Sequence, residues 1–162
     1  MDLLWAPWRN RYITKKEKGP CIFCRAVNCR NKKSRYIVLE GEFSMSMLNV
    51  FPYNNGHTLV FPKRHIKTFS QLENKELIDL FKTFEETRAT LEEVLKPHGY
   101  NIGINISTVA GAGIPGHLHL HLVPRWRGDT NFMPVIYNTK VVPQSLSELY
   151  RRLQDAITRK KP

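Results

Sequence analysis

The chain contains no run of about eighteen apolar residues, which excludes a helix that crosses a membrane. Its start, MDLLWAPWRNRY, has an acid at position 2 and a short apolar stretch broken by Pro7. That is not the pattern of a secretory signal, and the expected compartment is the cytoplasm. No internal repeat or low-complexity segment interrupts the 162 residues, a length that suits one domain with its own core. Cysteine is scarce, and the three present, Cys21, Cys24 and Cys29, cannot all pair within the chain. In a reducing compartment the C-x-x-C of CIFC points to metal binding or redox chemistry before a structural disulfide. Acids are also few, 14 against 25 Lys and Arg, and the imbalance is local. Residues 9–35 carry ten basic side chains against Glu17 alone, residues 36–147 carry ten of each sign, and residues 148–162 add a net three positive charges. The basic ends either solvate the chain or form a patch for nucleic acid or polyphosphate.

What is present begins with short segments rich in β-branched and aromatic residues. RYIVLE (35–40), FSMSMLN (43–49), HTLVF (57–61) and YNIGINI (100–106) read as strands. PYNNG (52–56) reads as a tight connection between two of them. Ser70 and Glu73 predict a capping box ahead of a long helix, with Leu77, Leu80, Phe81, Phe84, Leu91, Val94 and Leu95 at helical spacing and a stop by Pro97 and Gly99. A second box, Ser145 and Glu148, predicts a C-terminal helix through Leu149, Leu153 and Ile157. Strands joined by short turns, with helices grouped rather than alternating, predict an α+β fold and not a doubly wound sheet.

The densest chemistry lies in GIPGHLHLHLVPRW (113–126). On a strand, side chains two apart share a face, so His117, His119 and His121 would line one side while Leu118, Leu120 and Leu122 bury the other, with Pro124 ending the strand. Three aligned imidazoles exceed what packing alone requires. A catalytic zinc is a second reading, but such a metal commonly works with a carboxylate base. The nearest acid is Asp129, and none lies within ten residues upstream of His117. Nucleophilic attack on phosphorus is the third reading, because neutral imidazole both adds and departs well. The preceding STVAGAGIPG (107–116) supplies glycines whose N–H groups can approach phosphate oxygens.

His117-Leu-His119-Leu-His121-Leu-Val resembles the signature of the histidine triad family of nucleotide hydrolases and transferases. The likeness continues in NVFPYNNGHTLVFPKRHIKTF (49–69). LWAPWR (3–8), GINISTVAGAGIPGH (103–117) and VPRWRGDTNFMP (123–134) are similar to the microbial branch that includes diadenosine tetraphosphate phosphorylases. The resemblance implies an antiparallel sheet of about five strands with one long and one C-terminal helix, and a homodimer that brings Trp126 near the partner's site. Trp5, Trp8 and Trp126 otherwise read equally as base-stacking or packing residues. It also implies a layout of a basic N-terminal segment with the C-x-x-C (1–34), a catalytic core (35–135) and a C-terminal extension (136–162) within one domain.

Position by position, the resemblance makes His119 the nucleophile that takes up a nucleotide at its α-phosphorus, and gives His121 the α-phosphate oxygens. His57 matches a further histidine of that phosphate site, Asn49 a ribose contact, and Asn105 a polar residue near the phosphates. Gly113 and Ile114 match loop contacts to the nucleotide. Ser107 stands where relatives tend to have glycine. Cys21, Cys24, His65 and His117 match a structural zinc set that pins the N-terminal segment beside the site. The implied substrate is a dinucleoside polyphosphate. The rivals are a nucleoside phosphoramidase or adenylate hydrolase with the same triad, and a reading in which the basic end and zinc set grip nucleic acid, which the neutral core disfavours.

Overall fold

The computed structural model describes residues 20–130 and 142–160. Trp5, Trp8 and the stretch from Asn131 to Pro134 lie outside them. A five-stranded antiparallel sheet runs in the order β1-β2-β3-β5-β4, with β1 at Ile37–Glu40, β2 at Ser44–Leu48, β3 at Thr58–Pro62, β4 at Gly99–Ile104 and β5 at Leu120–Arg125. The short helix α1 (Ile22–Val27) precedes the sheet, α2 (Asn74–Leu95) links β3 to β4, and α3 (Leu146–Lys160) closes the chain. The α+β class, the antiparallel sheet and the two longer helices are as the sequence predicts.

The sheet separates two cores. On one face Val38, Leu48, Val60, Leu120 and Leu122 pack under α2 and α3 through Leu80, Phe84, Leu91, Leu149 and Leu153. On the other, Met45, Met47, Leu59 and Phe61 pack with Phe23 and Ala26 of α1. The alternation along β2 and β3 thus buries both faces, leaving the triad edge of the second face to carry polar chemistry.

Three details differ from the sequence reading. Ser70 does not cap α2: Thr68 and Gln71 form a capping box around the short 3-10 turn Phe69–Gln71, and Glu73 with Glu76 forms the one that opens the helix. Helical spacing predicts Leu77 and Phe81 inward, but they are 36% and 52% exposed, and Thr83, Thr87 and Thr90 are buried instead. Small hydroxyl residues win that stripe because Ser44 and Ser46 of β2 oppose it. The Ser44 Oγ bonds Thr83 Oγ1 at 2.8 Å and the Thr87 Oγ1 bonds Ser46 Oγ at 2.9 Å, so helix and sheet approach closely with every hydroxyl satisfied. Finally, Pro124 does not end the histidine strand but sits within β5, paired with Tyr100. Its ladder to β3 stops at Leu122–Thr58, so the missing N–H falls where no strand follows. Ser145 caps α3 as read, its Oγ accepting from the Glu148 N–H at 3.2 Å.

Candidate active site

The histidines straddle the start of β5. His121 lies inside the strand between Leu59 of β3 and Gly103 of β4, while His117 and His119 occupy the extended approach just before it. Leu118, Leu120 and Leu122 are buried as the alternation demands. The sequence places all three histidines on the strand; the strand itself begins one residue after His119, because the approach pairs instead through Leu118, whose N–H reaches the Ile66 carbonyl at 2.7 Å.

Hydrogen bonds fix the proton on each ring. A carbonyl only accepts, so the 2.8 Å contact from His119 Nδ1 to the His117 oxygen puts the proton on Nδ1 and the lone pair on Nε2. The Tyr53 N–H donates to His57 Nδ1 at 3.0 Å, with the Asn49 amide nitrogen 3.3 Å from the same atom. His57 therefore donates from Nε2 to His121 Nδ1 at 2.9 Å, which leaves His121 with its proton on Nε2. A lone pair and an N–H donor thus sit on neighbouring rings whose centroids are 5.1 Å apart. Burial pushes the His119 pKa down, with the bond to the His117 carbonyl opposing it, so the ring is neutral at pH 7.

Asn49 sits where β2 leaves the sheet, its side-chain oxygen accepting from Phe51 N–H at 2.9 Å. Asn105 is half-buried just past β4, and continuing the pairing of Ile104 with Leu120 sets it opposite His119. Gly113 is exposed in the loop before His117, whereas Ile114 packs against the core beneath α1. The structure thus links Asn49, His57 and His121 by hydrogen bonds and sets the His119 ring against His121, and leaves Asn105, Gly113 and Ile114 on the flanking loop.

Two aromatic residues escaped the sequence reading. The Tyr53 ring stacks on His121 with centroids 5.6 Å apart and planes 11° from parallel. Phe23 packs on His119 at 4.9 Å. Tyr53 lies in the PYNNG loop, whose Gly56 takes φ 75° and would place a Cβ 2.5 Å from Leu95. Asn54 ties the same loop to Pro124 O at 3.0 Å and Asp129 Oδ2 at 2.8 Å, and Asp129 also accepts from the backbone N–H of half-buried Trp126.

Cys21, Cys24, His65 and His117 bring four ligand atoms within 4.8 Å of one another. Four of the six pairs measure 3.4 Å (Cys21 Sγ to His117 Nδ1), 3.2 Å (Cys24 Sγ to His65 Nδ1), 3.7 Å (Cys24 Sγ to His117 Nδ1) and 3.2 Å (His65 Nδ1 to His117 Nδ1). A tetrahedral zinc with ordinary Zn–S and Zn–N lengths sets its ligand atoms about 3.3–3.8 Å apart, close to these four separations, and two thiols with two imidazoles are the donor types zinc takes. His117 Nε2 donates to the Pro62 carbonyl at 2.8 Å, which aims the bare Nδ1 at the cluster and supplies the outer partner that metal-binding imidazoles require. Burial lowers the His117 pKa to about 4, so this ring is a neutral ligand at pH 7.

The HIT domain matches residues 30–128. An AP-4-A phosphorylase of Mycobacterium tuberculosis is 32% identical over 161 residues, covering 94% of this chain and 83% of the relative. A hypothetical histidine triad nucleotide-binding protein of Sulfolobus tokodaii superposes with a TM-score of 0.69 at 28% identity, covering 87% of this chain and 94% of its own. A Zn-bound histidine triad family protein of Mycobacterium smegmatis superposes with a TM-score of 0.68 at 26% identity, covering 86% and 94%. The chain belongs to the HIT family and is an enzyme of its nucleotide hydrolase and transferase class. Among the described residues no helix is long and apolar enough to cross a membrane.

Proposed function

We propose that this enzyme cleaves a phosphoanhydride at the α-phosphorus of a dinucleoside polyphosphate, such as diadenosine tetraphosphate, through a nucleotidyl adduct on His119. The observation that carries the reading is the proton placement: the Nε2 lone pair of His119 beside the Nε2–H of His121. Displacement at phosphorus needs both an attacking pair and a donor for the charge on the non-bridging oxygens. The Nε2 pair forms a bond to the α-phosphorus while the bond from that phosphorus to the α,β-bridging oxygen breaks, and the leaving ATP keeps the electron pair. An oxygen of phosphate, or of water, then bonds to the phosphorus as the P–N bond breaks and returns its pair to Nε2. Phosphate yields ADP; water yields AMP and gives up a proton. The 32% identity to an AP-4-A phosphorylase supports this substrate class.

His57 fixes His121 in its donor tautomer, Asn49 takes the ribose, and Asn105, Gly113 and Ile114 line the phosphate path. Cys21, Cys24, His65 and His117 would hold a structural zinc, which would fasten α1 to the sheet outside the bond making. The proposed enzyme works as a homodimer in the cytoplasm.

Product analysis tests the proposal. Wild-type protein with diadenosine tetraphosphate should give ADP plus ATP only when phosphate is present, and His119→Ala should lower turnover by a factor on the order of 10³ or more. AMP plus ATP without phosphate would make it a hydrolase. Undiminished turnover in His119→Ala removes the adduct, and inert wild type removes the substrate.

A further inference from the structure

We propose that Phe23, the residue between Ile22 and the second cysteine of CIFC, is a positioning residue that holds the plane of the His119 ring. The inference rests on His119 being the nucleophile. Phe23 has no exposed surface, although it sits on a helix of only six residues laid on the face of the sheet. It faces inward with Ala26, one turn on, and its ring meets three others: Phe61 at 4.5 Å, His119 at 4.9 Å and His117 at 5.1 Å. Phe61 is a buried residue of β3, so the wall behind Phe23 is the sheet itself.

One hydrogen bond does not orient an imidazole. The His119 bond to the His117 carbonyl fixes Nδ1, but the ring keeps freedom to tilt, since the χ2 well of histidine is broad and two-fold. A flip exchanges Nδ1 with a carbon and Nε2 with a carbon, and removes the attacking pair from its line. Phe23 lies 38° from the His119 plane and closes the space such a flip or tilt would sweep. Attack at phosphorus needs reacting atoms at about 3–3.5 Å and aligned, so freeing the ring costs rate rather than affinity.

The sequence position explains why an aromatic wall can be held there by so short a helix. Cys21 lies at its N-cap and Cys24 within it; their sulfurs reach His117 and His65, at 3.4 Å and 3.2 Å. His117 in turn offers the carbonyl that accepts the hydrogen bond from His119 Nδ1–H. The ligand cluster and the nucleophile are therefore joined by two routes, the backbone of His117 and the ring of Phe23.

The test compares Phe23→Leu with Phe61→Leu in zinc-loaded, full-length protein. Phe61 backs Phe23 but has no ring contact with His119, so both variants lose core packing while only the first frees the nucleophile. Two readouts apply: kcat and KM on diadenosine tetraphosphate with phosphate, and the imidazole nitrogen resonances of ¹⁵N-histidine-labelled protein. We expect Phe23→Leu to keep its zinc, to lower kcat by about 10- to 100-fold with KM within about twofold, and to replace the single Nδ1–H form of His119 with a mixture. Phe61→Leu should leave that resonance pattern as in wild type. If Phe23→Leu fails to fold, Phe23→Met keeps a polarisable contact with the ring and should fall between the two. An unchanged His119 pattern in the Phe23 variant, an equal change in both variants, or a raised KM at constant kcat overturns the proposal. Should wild type not turn over the tetraphosphate, the substrate reading falls while the resonances still decide the role of Phe23.

Discussion

Ser107 holds a backbone conformation, φ 73° and ψ 161°, that glycine adopts readily and other residues adopt at a cost. Its carbonyl accepts from Ala112 N–H, closing the loop that runs on to His117, so the strain sits directly ahead of the triad. Resemblance places a glycine at this position in relatives, and the geometry explains why: a positive φ with an extended ψ is strained for any residue that carries a Cβ. Ser107→Gly should therefore raise the urea midpoint, with a net gain of about 1 kcal/mol once the extra chain entropy of glycine is set against the relieved strain. Ser107→Ala keeps the Cβ and should show no gain. An unmoved or lowered midpoint in Ser107→Gly would mean that the serine hydroxyl repays the strain. At this scale the sequence was legible where chemistry is carried by residue type, as in the three histidines and the C-x-x-C. It was silent on Phe23 and Tyr53, because a ring that stacks on an imidazole and a ring that fills a core look alike in one dimension.

Elements were legible where the period of apolar residues matches burial, and misread where polar residues take the inner face. The start of α2 shows why. Ser70 and Glu73 have the spacing of a capping box, yet Glu73 and Glu76 have it too, and Arg64 decides between them. Its guanidinium holds both oxygens of buried Glu76, at 2.8 Å from Nε and 2.6 Å from a terminal nitrogen, and so fastens the loop that carries His65 to the first turn of the helix. No local pattern links residues twelve apart across a loop, so this pairing was invisible in the sequence. The bond from Arg64 is the main cause that holds the Glu76 carboxyl at about 2, below its usual 4.5. The unfolded chain therefore binds a proton at higher pH than the folded one. The stabilisation from this pair is fully present above pH 4.5 and is lost as pH falls from there toward 2. Glu76→Gln should lower the melting temperature by a few degrees at neutral pH and flatten its fall across that acid window, as read by thermal scans at stepped pH. Arg64 is about half exposed, which keeps the effect below what a fully buried pair would give. A variant whose acid profile overlays wild type would remove Glu76 from the account.

The whole sheet has two edges, and the protein treats them differently. At β1 the strand is four residues long and its ladder is broken by an irregularity between Ile37 and Leu39. Gln154 of α3 donates to the Val38 carbonyl at 3.0 Å, which covers part of that edge. At β4 the strand runs six residues in regular register with β5, and among the described residues no strand or helix pairs with its outer side. Half of its N–H and C=O groups point outward, the arrangement that invites another strand. Ile102, 58% exposed, and Ile104 share one face of this strand with Tyr100, whose ring packs on the helix-side core. Exposed isoleucines beside an open, regular edge fit the proposed homodimer, in which a second copy lays its own β4 alongside and continues the sheet. Sedimentation of the purified protein at micromolar concentration should then give a dimer. Ile104→Lys, a charge placed on the edge without touching the core, should give a folded monomer. Because β4 also pairs with His121 through Gly103, that monomer should keep its triad hydrogen bonds, and any fall in its turnover measures what the second copy adds to the site. A wild-type monomer, or a dimer that survives both Ile104→Lys and Ile102→Lys, would place the open edge of β4 outside any self-association.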